Sequence, residues 1–185
     1  MGGIVHVRID DRLIHGQVAA NWSNALRIDR IMVANDEVAA NDMQKAVLRM
    51  AAPAGVHTSL ITKEKAAANI NAGRYNTERV LLILKTPKDA LDLIKLGVDI
   101  KHINVGNMAY KEGKISVKHS VNVTPEDIEN FRELDSMGVE LTSMMVPDER
   151  SNNLMPHIEK ALEKKKTWKK KKKIKKKKKK KKKKK

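Results

Sequence analysis

Eight consecutive residues, Asp10-Asp11-Arg12-Leu13-Ile14-His15-Gly16-Gln17, concentrate the reactive chemistry of this chain. A neutral imidazole nitrogen of His15 can attack phosphorus, and the resulting phosphoramidate can pass the group onward, so one hard step becomes two easier ones. Arg12 can grip phosphate oxygens with a bidentate fork. Gly16 lets a backbone come close and Gln17 adds N–H donors. Asp10 or Asp11 can accept the proton of the second imidazole nitrogen and fix its tautomer. A histidine at or near a helix start also shares the positive end of the helix dipole, which favours phosphate by ~0.3–1 kcal/mol. The plain alternative is a solvated loop with a histidine at a helix entry, and one His near one Arg does not decide between them.

Position is what turns such residues into a site. In open α/β sheets, ligands bind beyond the carboxyl ends of the strands. Ile4 to Ile9 reads as a first strand, and a helix follows from His15 or Gly16 to Leu26, so the eight residues fall at such an end. Strands are expected at 30–34, 56–61, 79–84, 102–105 and 139–145. Helices are expected at 41–51, 63–72, 124–137 and 152–163, with another opened by Thr86 as N-cap and Pro87 at the first helical position. Arg79 to Leu84 is nearly all apolar, as a central strand covered on both faces should be. The stretch 114–123 is irregular and reads as a short strand or hairpin. The alternation predicts an α/β fold: a three-layer, open, mainly parallel sheet flanked by helices, in a single domain over 1–163. Three further loops, Asn35-Asp36, Lys85-Thr86 and Gly106-Asn107, lie at carboxyl ends of strands and can face His15; ordinary turn and cap chemistry is the competing explanation for each.

The formal charge of +17 points to nucleic acid only at first sight, because residues 164–185 hold 19 of the 39 basic residues and leave 20 basic against 22 acidic in the body. That lysine-rich tail cannot bury apolar area and is read as a solvated, disordered appendage, more readily a segment foreign to the domain than a native surface-binding tail. No nucleic-acid partner is expected. With no cysteine in the chain, thiolate metal sites and cysteine nucleophiles are excluded. The remaining histidines, His6, His57, His102, His119 and His157, lack metal-ligand spacing, so no metal and no cofactor are expected. Trp22 reads as a core residue of the first helix, and Met43, Met50, Met144 and Met145 as gap fillers, although an exposed subset would make a docking face. The absence of an 18-residue apolar run and of a secretory layout at Met1-Gly2-Gly3-Ile4 implies a cytoplasmic location. A receiver domain would need an acceptor aspartate after the third strand, where Ile61-Thr62-Lys63 stands, and no glycine-rich nucleotide motif occurs.

The segment from Val7 to Val18, Val-Arg-Ile-Asp-Asp-Arg-Leu-Ile-His-Gly-Gln-Val, resembles the active-site motif of the IIB proteins of the mannose–fructose–sorbose phosphotransferase family. The likeness extends over roughly residues 3 to 163, including Ile31 to Asp36, Leu84 to Pro87 and Asn104 to Asn107, while the lysine tail departs from it. The resemblance implies that His15, through its Nδ1 (pros) nitrogen, takes phosphate from a IIA component and passes it to a sugar. That sugar would enter through IIC and IID membrane components, so the protein would associate with a permease. Arg12, Asp10 and Asp11 would serve that step, with Gly16, Gln17, Asn35, Asp36, Lys85 and Thr86 holding phosphate. A homodimer is a further expectation. Other phosphotransferase IIB families use a cysteine, which this chain lacks.

Overall fold

The computed structural model describes residues 2–165 and 167, so nearly all of the lysine tail lies outside the described residues. Among the described residues, eight strands and seven helices follow one another as β1 (Gly3–Asp10), α1 (Gly16–Leu26), β2 (Arg30–Ala34), α2 (Asp36–Ala39), α3 (Asp42–Ala51), β3 (His57–Ile61), α4 (Lys63–Asn71), β4 (Arg79–Leu84), α5 (Pro87–Lys95), β5 (His102–Asn107), β6 (Ile115–Lys118), β7 (Val121–Val123), α6 (Pro125–Ser136), β8 (Glu140–Thr142) and α7 (155–165). Six strands pair in the order β3-β2-β4-β1-β5-β8, every pair parallel, while β6 and β7 form a separate antiparallel hairpin. The expected three-layer parallel architecture is therefore the one observed, with β4 central between β2 and β1.

Side-chain alternation sorts the core onto two faces. Ile31, Val33, Leu81 and Ile83 face a cluster completed by Trp22 of α1, Val38 of α2 and Leu48 of α3. Met32, Leu82, Val7 and Ile9 face the opposite cluster, covered by α4, α5, α6 and α7 through residues such as Ala66, Leu91, Phe131 and Ile158. In β1 the residues that alternate with Val7 and Ile9 are polar: His6, Arg8 and Asp10 share the α1 side of the strand. Arg8 and Asp10 are fully buried there.

The local signals at helix starts are those the sequence carries. Thr86 accepts from Asp89 N–H while the Asp89 carboxylate accepts from Thr86 N–H, a closed capping box with Pro87 in the first turn, and Thr124 with Asp127 repeats it. Three features depart from expectation. The chain forms a four-residue α2 directly after Asn35, because the Asn35 side chain accepts from Val38 N–H and nucleates that turn. Strand β8 stops at Thr142, since 143–149 leaves the sheet to bond other groups. The pair Met43 and Met50, read as gap fillers, is instead 80% and 86% exposed with Val47 between them, so α3 turns Leu48 inward and this stripe outward.

Candidate functional site

Where β1 ends, Leu13 N–H donates to Asp10 C=O at 2.9 Å and closes a tight turn in which Leu13 adopts a left-handed φ of 62°. A bulky residue there costs about 1–2 kcal/mol, which burial of both Leu13 and Ile14 against the α1 core offsets. The two apolar residues anchor the turn from below and leave His15 at its crest, as the N-cap residue of α1 with extended backbone (φ −152°). Asp11 ties the same turn to β5, accepting from Asn107 Nδ2 at 2.6 Å and from Ala109 N–H at 2.7 Å.

Asp10 is the focus of the charges. Its Oδ2 accepts from Arg8 Nη2 at 2.9 Å, from Arg12 Nη2 at 3.2 Å and from His15 Nε2 at 3.2 Å, while Oδ1 accepts from Arg12 Nε at 3.1 Å and Arg12 N–H at 3.2 Å. Burial alone would raise this carboxyl's pKa, but the hydrogen bonds from His15 and Arg12 and the charge of Arg8 more than offset it and hold the group at about 2. An ionised carboxylate can only accept, so the proton shared with His15 sits on Nε2 and the neutral ring keeps its lone pair on Nδ1. No described side chain hydrogen-bonds that nitrogen. Of the two aspartates, Asp10 is therefore the one that orients the ring, and Asp11 is a tether.

The start of α1 differs from those of α2 to α6. Each of the latter has an Asn or Thr N-cap whose side chain accepts a backbone N–H, and an acidic residue in its first turn. Helix α1 has neither, so the positive end of its dipole is uncompensated by its own residues. A Cβ at Gly16 would meet nothing within 4 Å; the closeness that glycine permits is toward space outside the chain. Gln17 contributes backbone to α1, and its side chain lies outside the described residues.

Asn35, Asp36, Lys85 and Thr86 gather elsewhere on the carboxyl edge, along a cleft of about 320 Å³ that also takes in Lys63 and Asp89. Lys63 Nζ lies 2.7 Å from Asp92, 3.4 Å from Asp36 and 3.5 Å from Asp89. Lys85 pairs with Glu37 at 2.7 Å, and Asn35 and Thr86 cap their helices. Burial lowers the Lys63 ammonium's pKa, but the hydrogen bond to Asp92 and the three carboxylate charges raise it above the ordinary lysine range. None of these residues bonds His15, Asp10 or Arg12. Of the third predicted loop, Asn107 does reach the first cluster through Asp11, and Gly106 packs on it: a Cβ there would overlap the Arg8 guanidinium.

Residue-type reasoning missed the parts that Arg8 and Asn104 play here, and the hydrogen bond of the Trp22 indole to Met145 C=O. Arg8 Nη1 and Nη2 donate to the carbonyls of Met144 (3.0 Å) and Met145 (3.2 Å). The signal was available in β1, where His6-Val7-Arg8-Ile9-Asp10 alternates polar and apolar and so puts a cation beside Asp10. Trp22 is buried as expected, and stacks on His6 with ring centroids 4.5 Å apart. Burial, with the His102 and Arg8 charges, pulls the His6 pKa down to about 4, leaving a neutral ring at neutral pH. Among the described residues, no group of three His, Cys, Asp or Glu is arranged to hold a metal ion, and no helix is long and apolar enough to cross a membrane.

Comparison with known proteins places this geometry. The family model for the "PTS system sorbose subfamily IIB component" matches residues 4–173. The sorbose-specific EIIB component of Klebsiella pneumoniae is 38% identical over 157 residues, spanning 85% of this chain and 96% of that protein. The mannose-specific EIIAB component of Escherichia coli (strain K12) is 40% identical over 153 residues, 83% of this chain and 47% of that longer protein. The crystal structure of the IIBSor domain of the Klebsiella pneumoniae sorbose permease superposes with a TM-score of 0.81 at 38% identity, covering 85% of this chain and 97% of that one.

Proposed function

This chain belongs to the sorbose-subfamily IIB family of the sugar phosphotransferase system, and on that premise we propose that it carries phosphate on Nδ1 of His15, taken from a IIA component and delivered to a sugar. The observation that carries this reading is the hydrogen bond from His15 Nε2 to buried Asp10, which leaves the Nδ1 lone pair uncommitted beside an uncapped helix start.

In the first step, with a phosphohistidine of the IIA component as donor, the Nδ1 lone pair bonds to phosphorus as the donor's P–N bond breaks, and that bond's electron pair returns to the donor imidazole. His15 keeps its Nε2 proton, so positive charge develops on its ring directly against the Asp10 carboxylate, where it is stabilised. Arg12, whose side chain is 42% exposed, can swing guanidinium donors from Asp10 toward the incoming oxygens. The first-turn N–H groups of α1, Gly16 among them, add donors and the favourable end of the dipole. In the second step a sugar hydroxyl oxygen bonds to phosphorus, the P–Nδ1 bond breaks with its electrons returning to the ring, and the hydroxyl proton goes to a base at the sugar's site. A cationic ring is a good leaving group, so the Asp10 contact serves both directions.

The remaining assignments are part of the same proposal: a cytoplasmic domain over 1–163 working at the membrane with IIC and IID components. Incubation with phosphoenolpyruvate, enzyme I, HPr and a matching IIA, followed by mapping of the labelled residue, tests it. Label is expected on His15 and lost by more than about a thousandfold in a folded His15→Ala protein; label retained in that variant refutes the assignment.

A further inference from the structure

The Arg8 guanidinium divides its donors between Asp10 and two backbone carbonyls, those of Met144 and Met145, which lie more than 130 positions away in the chain. Neither carbonyl belongs to a strand or helix, because β8 ends at Thr142 and the chain turns back before α7. A carbonyl in a free turn cannot aim an arginine, so something must hold the turn. Asn104 does so with both ends of its amide: Nδ2 donates to Met144 C=O at 3.0 Å and Oδ1 accepts from Met144 N–H at 2.8 Å. The Trp22 indole N–H adds a third bond, to Met145 C=O at 3.1 Å. Asn104 is fully buried and stands directly beside Arg8 in the β1–β5 register. Gly106, where a Cβ would overlap the guanidinium, and the Trp22 ring, whose centroid is 5.3 Å from the guanidinium carbon, crowd Arg8 in its seat.

We propose that Asn104 and Trp22 are positioning residues for phosphoryl transfer: by holding the Met144–Met145 turn they fix Arg8, through Arg8 the Asp10 carboxylate, and through Asp10 which nitrogen of His15 keeps its proton. If the turn loosens, buried Arg8 loses two of its three acceptors and must turn further onto Asp10. The Oδ2 atom that Arg8 shares with His15 Nε2 is the atom that then moves. The imidazole loses its fixed acceptor, both tautomers populate, and the fraction of rings with a free Nδ1 lone pair falls. The catalytic consequence rests on His15 being the phosphoryl acceptor, whereas the tautomer order does not.

Asn104→Ala removes the two-point clamp, and Trp22→Phe removes one N–H while keeping an aromatic ring. The ¹⁵N spectrum of the His15 imidazole in the unphosphorylated full chain, recorded at alkaline pH, is expected to show one tautomer protonated on Nε2 in the parent and a mixture in Asn104→Ala. Phosphorylation by the phospho-donor should slow on the order of tenfold to a hundredfold in Asn104→Ala, with an unchanged dependence on donor concentration. Trp22→Phe should shift both readouts in the same direction by less, since Met145 C=O keeps its bond to Arg8. A folded Asn104→Ala protein with the parent tautomer and rate overturns the proposal; if that variant does not fold, unchanged tautomer and rate in Trp22→Phe overturn it. Failure of the His15 assignment looks different, namely no label on His15 in the parent while the tautomers still respond.

Discussion

Two charge clusters sit on the carboxyl edge of one sheet and are built in opposite senses. After β1, Arg8, Arg12 and His15 converge on one carboxylate, Asp10. After β2, β3 and β4, three carboxylates converge on one ammonium, Lys63. Around Lys63 every carboxylate has a cationic partner, with Lys88 and Lys85 answering Asp92 and Glu37, and most of the anchored residues stand at or near the starts of α2, α4 and α5. Around Asp10 one ring nitrogen is left uncommitted, beside the one helix of α1 to α6 without a side-chain cap. A network that closes on itself ties elements together; a network that stops one atom short can do chemistry.

The largest break in that contrast should come from Asp10→Asn. It leaves Arg8 buried without its anion and lets His15 donate to nothing charged, so stability at neutral pH should fall by about 2–4 kcal/mol. Phosphoryl acceptance should drop on the order of 10²–10⁴-fold, as when a carboxylate that fixes an imidazole tautomer is lost. The acid profile gives the sign. Because the folded carboxyl sits at about 2, below its unfolded value of ~3.9, its contribution is complete above pH ~4 and disappears as pH falls toward 2. Chemical denaturation across that window should show a loss of about 2 kcal/mol in the parent that Asp10→Asn lacks. A variant with the parent's acid profile and transfer rate would remove the distinction between the clusters.

Lys63→Ala sharpens the same contrast from the other side. Three carboxylates left without their shared cation should cost about 1–3 kcal/mol, less than at Asp10 because Lys63 and Asp92 keep contact with solvent. Labelling at His15 should stay within about twofold of the parent, as expected for independent sites without shared partners. A folded Lys63→Ala protein that labels poorly would instead join Asn35, Asp36, Lys85 and Thr86 to the phosphate site, the arrangement their positions after β2 and β4 suggest.

Much of the scaffold was legible because its signals are local. Strands β2 and β4 fall at the expected residues, since an apolar run bounded by turns has few alternatives, and Thr86-Pro87 places the start of α5 to the residue. The four-residue α2 carries too little pattern to be read alone, and at β8 the strand was legible while its early end at Thr142 was not. His15, Arg12 and Asp10 were visible as residue types in one short segment. The groups that fix Arg8 were not, because two are main-chain carbonyls and their clamp, Asn104, is one amide in an apolar strand, meeting them only through the fold. The outward turn of Met43 and Met50 was unreadable for a related reason: helical spacing sets a face, and only packing decides where it points.

The central claim concerns one atom, so the most direct measurement reads that atom. In the phosphorylated full chain with ¹⁵N-labelled histidine, the phosphorus–nitrogen coupling identifies the bonded nitrogen. Coupling to Nδ1 of His15, with Nε2 still protonated against Asp10, is the predicted result. Phosphorus on Nε2, or on any residue other than His15, would contradict it.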